Sequence, residues 1–105
     1  MSKQLFLIQL TYIKELQEID SLMKDHVAYL KKYYRLKRFI VSGRQVPRKG
    51  GIILCYAEDI KEVKSIMEED PFMIHKAARF KINPFMASMY SESFGNVLKD
   101  VDTGT

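Results

Sequence analysis

Apolar residues fall along this chain in two rhythms, and the switches between them mark the elements. Leu5-Phe6-Leu7-Ile8-Gln9-Leu10-Thr11-Tyr12 has strand length and β-favouring residues. Alternation puts Phe6, Ile8 and Leu10 on one face and Leu5 and Leu7 on the other, so both faces need cover. The rhythm then lengthens. Leu16, Ile19, Leu22, Met23, Val27, Leu30 and Tyr34 recur at three- and four-residue steps, with Glu18, Lys24 and Lys31 between them, which predicts a helix from about Leu16 to Arg35. Arg38-Phe39-Ile40-Val41-Ser42 reads as a short strand ended by Gly43, and Pro47, Gly50 and Gly51 mark a loop over 44–51. Ile52 to Ala57 is a third strand, again apolar on both faces.

Asp59, with Glu62 three residues on, opens a second helix whose inward stripe is Ile60, Val63, Ile66 and Met67. Asp70-Pro71 stops that helix and starts a short turn, because proline suits the first helical position and disfavours helix in the residue before it. A last strand over Ala78 to Pro84 alternates as a half-exposed edge would. The order βαββαβ predicts a ferredoxin-like α+β fold, an antiparallel sheet with two helices on one face. The expected domain covers 1–86. From about Ala87 the pattern dissolves, so 87–105 is expected to be a C-terminal tail that wraps a partner or stays mobile. A sheet left bare on its other face would expose a large apolar patch, and a second copy in a two-fold homodimer is the simplest cover.

With 105 residues, 47% of them hydrophobic and 29% charged, the chain has room for one globular core. The apolar run after Met1-Ser2-Lys3-Gln4 breaks at Gln9, too short for a membrane span or export signal. The lone Cys55 lies in an apolar run, which points to a buried structural thiol and a reducing, cytoplasmic setting. The net charge of +4 gathers at Lys31, Lys32, Arg35, Lys37 and Arg38, then Arg44, Arg48 and Lys49. The first group complements a helix C-terminus, and the excess is smaller than a nucleic-acid footprint usually carries.

His26 follows Ile19 by seven, Leu22 by four and Met23 by three, so it points inward with the apolar stripe and needs a partner. By spacing it is a core histidine with a hydrogen-bond partner; the chemical alternative is a general acid or base. Asp70 before Pro71 is an N-cap, and would orient His26 only if the fold brought the two together. His75, beside Lys76, reads as a surface or rim residue. Two histidines and one cysteine at long spacings make a metal site a poor fit. No phosphate-binding glycine motif, dinucleotide fingerprint or nucleophile elbow occurs, and no cofactor is expected. RNA-recognition motifs share the βαββαβ order and stack bases on sheet aromatics. Here Gly51 and Ile53 stand where two of those aromatics belong and Tyr56 is the only match, so no nucleic-acid partner is expected.

Several separate segments together resemble the YCII-related family of dimeric α+β barrel proteins, from about Leu5 to Phe85. They are His26 with Tyr29-Leu30, Ser42-Gly43, Val46-Pro47-Arg48 leading to Gly50-Gly51-Ile52-Ile53-Leu54, and Glu69-Asp70-Pro71-Phe72. The resemblance implies a homodimer paired sheet to sheet and a pocket in which His26 and Asp70 form a catalytic dyad. It makes Ser42 a small polar residue of that pocket and Arg48 the contact for an anionic substrate. Where the family often has Gly-Pro, this chain has Gly43-Arg44. Members and relatives of the group include a dehydrochlorinase, isomerases and monooxygenases of aromatic compounds. The function expected from the resemblance is a lyase- or isomerase-like, cofactor-independent enzyme moving a proton on a small ring or enol substrate. The alternative is a non-catalytic small-ligand binding or interaction protein.

Overall fold

The computed structural model describes residues 4–103. The chain runs β1 (Gln4–Tyr12), α1 (Leu16–Arg35), β2 (Phe39–Arg44), β3 (Gly50–Ala57), α2 (Ile60–Glu68), α3 (Pro71–Ile74), β4 (Ala78–Phe85) and α4 (Glu92–Thr103). The four strands form one antiparallel sheet in the order β2-β3-β1-β4, the ferredoxin-like α+β arrangement. Register fixes the faces. Ile8 stands between Ile53 and Ile82, and Phe6 between Cys55 and Pro84, on the face that α1 and α2 cover. Leu7 stands between Leu54 and Asn83 on the opposite face.

The core lies between the first face and the helices. Phe6, Ile8, Leu10 and Ile53 meet Ile19, Tyr29 and Tyr33 from α1, and Val63, Ile66 and Met67 from α2. The α1 stripe is rotated slightly from the expected one: Tyr33 is buried, whereas Tyr34, Val27 and Leu16 are part-exposed. The helix ends where Lys37 takes a positive φ of 59°, with its N–H on Tyr34 O and that of Arg38 on Tyr33 O. Asp59 caps α2 by accepting the Glu62 N–H at 2.9 Å, as its position before the apolar stripe predicts. Gly50 lies close against β1, where an added Cβ would clash with the Leu10 carbonyl oxygen.

The opposite face is partly covered from within the chain. The segment past Ala87, expected as a patternless tail, contains α4 in its described part, and Phe94, Leu98 and Val101 of that helix pack on Leu5 and Tyr56. Lys37 reaches Asp100 at 2.8 Å and the Tyr56 hydroxyl donates to Asp102 at 3.1 Å. The signal was present: Phe94, Val97, Leu98 and Val101 keep helical spacing, masked by the serines and methionines before them. Leu54 packs at the edge of the α4 cluster, and beyond it along the same cross-strand row Leu7 is 38% and Val41 56% exposed.

Candidate active site

Asp70 sits between α2 and α3, and its position follows from the local sequence. Pro71 occupies the first helical position of α3, and the Asp70 carboxylate caps that helix, its Oδ1 accepting the Phe72 N–H at 3.0 Å. The same oxygen lies 2.8 Å from His26 Nδ1, across 44 residues of chain. Asp70 is fully buried and His26 nearly so. A carboxylate oxygen already holding an amide favours the tautomer in which Nδ1 carries the proton, which leaves Nε2 with its lone pair free. Phe72 fixes the ring plane, stacking on the imidazole with centroids 4.1 Å apart and planes 13° from parallel. Asp70 Oδ2 is buried and has no hydrogen-bond partner among the described residues.

The part of α2 that delivers Asp70 is tied to the helix that carries His26. Tyr29, one turn beyond His26, donates to the Ile66 carbonyl at 2.8 Å. One turn further, Tyr33 donates to Glu69 Oε2 at 2.6 Å while Lys32 holds Glu69 Oε1 at 2.7 Å. Burial pushes the phenols of Tyr29 and Tyr33 well up. The Lys32 and Tyr33 hydrogen bonds hold the Glu69 carboxyl below its usual value. Neither tyrosine was singled out by the hydrophobic spacing, because a phenol that buries its ring and spends its hydroxyl on a carbonyl is indistinguishable in sequence from an exposed one.

His26 forms part of the wall of a cavity of about 260 Å³ between α1 and the sheet. Leu10, Ile53 and Phe72 supply apolar wall, as do Met23, Val27 and Leu30 from α1. The polar contributors are Tyr12, Ser42 and Arg44. Ser42 is therefore at the cavity, where its hydroxyl shares a hydrogen bond with Tyr34. Arg48 is placed differently from the expected substrate contact: its guanidinium pairs with Asp20 and lies over the Tyr12 ring at 5.9 Å, and it does not line the cavity. That hydrogen bond holds the Asp20 carboxyl below its usual value. Arg44, which sequence spacing left unassigned, lines the cavity instead because strand alternation places it on the same face as Ser42. His75 ends α3 on the surface. Cys55 is buried in the core, and burial pushes its thiol up to about 12, with the charge of Glu62 adding to the effect. No cluster of metal-ligating residues occurs among the described residues, and no helix among them is long and apolar enough to cross a membrane.

Fold and site together define a ferredoxin-like α+β chain with a buried histidine–aspartate pair at the wall of a small apolar cavity. The chain belongs to the YCII-related family, whose domain model matches residues 5–86. Among solved structures it resembles 5-chloro-2-hydroxyhydroquinone dehydrochlorinase from Burkholderia phenoliruptrix AC1100, in complex with 2,5-dihydroxybenzoquinone. That likeness has a TM-score of 0.69 at 24% identity, over 77% of this chain and 92% of the other. It also resembles SnoaB, a cofactor-independent oxygenase from Streptomyces nogalater, with a TM-score of 0.52 at 12% identity, over 88% of this chain and 99% of that one. At these identities the two likenesses bear on the fold. No curated protein was found to match the chain.

Proposed function

We propose that this protein is a small cofactor-independent enzyme in which His26 moves a proton on a small enol- or phenol-type ring substrate. The supporting observation is the 2.8 Å contact between His26 Nδ1 and a buried, helix-capping Asp70, at the wall of an otherwise largely apolar cavity. With Nδ1 committed to Asp70, Nε2 is the nitrogen left to accept a proton from a hydroxyl or an acidic C–H of the substrate. The imidazolium so formed keeps its Nδ1–H on the carboxylate, whose negative charge stabilises it. Returning the proton at a second atom completes an isomerisation. If a leaving group departs with the bond electrons first, the proton passes to water and the reaction is an elimination. Ser42 lies where a ring substituent could hydrogen-bond, and Arg48 acts from behind Tyr12. The protein works in the cytoplasm as a homodimer paired through the sheet row Leu7, Leu54 and Val41, of which Leu7 and Val41 are exposed.

The test is turnover of a panel of hydroxyquinols, chlorinated hydroxyquinols and cyclic enols, followed by absorbance, for wild type, His26→Gln and Asp70→Asn. Loss of about 10²–10⁴-fold in kcat for His26→Gln, with circular dichroism unchanged, is expected of a positioned base. Saturable binding of panel members with no turnover by wild type would instead identify a small-ligand binding protein.

A further inference from the structure

Arg44 is the cation of the cavity wall, and its charge is uncommitted. Its guanidinium makes no hydrogen bond or ion pair with any described residue. The acid whose field it feels is Asp20, and that carboxylate is hydrogen-bonded by Arg48. Two guanidinium groups therefore stand near the one carboxylate of Asp20, while the other carboxylate of the site, Asp70, is held behind His26.

The backbone gives this side chain room. Arg44 closes β2, an edge strand of the sheet, and its cross-strand partner is Gly51, followed on the next strand by Leu10. Gly51 puts no side chain beside Arg44 on the cavity face, where an added Cβ would come 3.2 Å from the Gly43 carbonyl oxygen. His26 borders the same cavity from the helix layer, so one small space has a base on one wall and a fixed cation on another. At about 260 Å³ it is smaller than the ~300–1,000 Å³ pockets that take drug-sized ligands, which matches a single ring with few substituents.

We propose that Arg44 is the specificity residue of this cavity and selects single-ring ligands that carry an anionic group, carboxylate or oxyanion, opposite the atom facing His26. The guanidinium meets such a group by two parallel N–H···O bonds, a geometry that a neutral substituent does not reproduce. This deepens the proton-transfer proposal, on which its mention of a reacting atom rests, but the anion selectivity is a statement about binding alone.

The experiment measures dissociation constants by amide-proton NMR titration for two near-isosteres, 2,5-dihydroxybenzoate and the neutral 2,5-dihydroxybenzamide. It uses wild type, Arg44→Gln and, as a control of equal charge change at an exposed neighbour outside the cavity wall, Lys49→Gln. Wild type and Lys49→Gln should prefer the acid by at least about tenfold, and Arg44→Gln should bring the two ligands to within about twofold. Absence of acid binding at millimolar concentration, a preference that survives Arg44→Gln, or an equal loss in Lys49→Gln would each overturn the proposal. The two proposals fail separately. His26-dependent turnover of a neutral ring without anion selectivity sinks only the Arg44 assignment, whereas Arg44-dependent selectivity with no turnover across the panel sinks only the catalytic one.

Discussion

One oxygen of Asp70 does two jobs: it caps α3 through the Phe72 amide at 3.0 Å and holds His26 Nδ1 at 2.8 Å. Because the capped residue is Phe72, the same short turn also presents the ring that stacks on the imidazole. The tilt of the His26 ring plane and the rotation of the ring within that plane are therefore set by two residues two positions apart.

Replacing that carboxylate separates structural from chemical consequences. Asp70→Ala removes the cap, worth about 1 kcal/mol, and strands a buried imidazole donor at a cost of about 1–3 kcal/mol, so urea denaturation should show a loss of about 2–4 kcal/mol. Asp70→Asn retains an acceptor oxygen and should lose less stability. In wild type, ¹⁵N shifts of the ring in the neutral imidazole should report the Nδ1–H tautomer; a dominant Nε2–H tautomer would remove His26 Nε2 as the base.

Gly50→Ala should fail to fold or lose several kcal/mol. The added Cβ would lie 1.7 Å from the Leu10 carbonyl oxygen, a backbone atom held by β1 in the middle of the sheet. Gly43→Ala, where no atom lies within 4 Å of the added Cβ, is the matched control and should change the denaturation midpoint little.

Stability should fall at alkaline pH. Burial pushes the Cys55 thiol up to about 12 from an ordinary 9.0, and likewise raises the Tyr29 and Tyr33 phenols above 10.0. Each group is neutral when protonated, and folding raises its pKa, so its contribution is complete below the unfolded value and is lost as pH rises toward the folded one. Urea midpoints should therefore hold to about pH 9 and decline above it, with Cys55→Ala removing the earliest part of the decline. A flat profile to pH 11 would show that burial does not set these groups.

The open sheet face gives a test of assembly. Leu7, Leu54 and Val41 form a cross-strand apolar row in which Leu54 packs at the edge of the α4 cluster while Leu7 and Val41 stay exposed. Light scattering should find a dimer for wild type and a monomer for Val41→Lys, whose charge would be buried at the sheet-to-sheet contact. A Val41→Lys chain that remains dimeric would place the interface elsewhere.

Local rules carried most of the fold. The α1 boundaries at Leu16 and Arg35, the Asp59 cap with Glu62, and the stop at Asp70-Pro71 all follow from periodicity and capping chemistry, which act over a few residues. The inward position of His26 was equally legible, as was the cap at Asp70. The family likeness then named the two together, which neither spacing nor capping could do. Their contact spans 44 residues, and only the packing of α1 against α2 and α3, with Tyr29 and Tyr33 tying the α2 end, brings the two groups within hydrogen-bond distance. Tertiary structure also decided between the two arginines. Arg44 and Arg48 are alike in the sequence, but strand register turns one toward the cavity, while the other finds Asp20 across the layer. Sequence thus determined which faces are apolar and which residues end each element, because those depend on neighbours along the chain. The partner each polar side chain meets was set by the assembled layers, because hydrogen bonds and ion pairs depend on distances that exist only once the helices pack on the sheet.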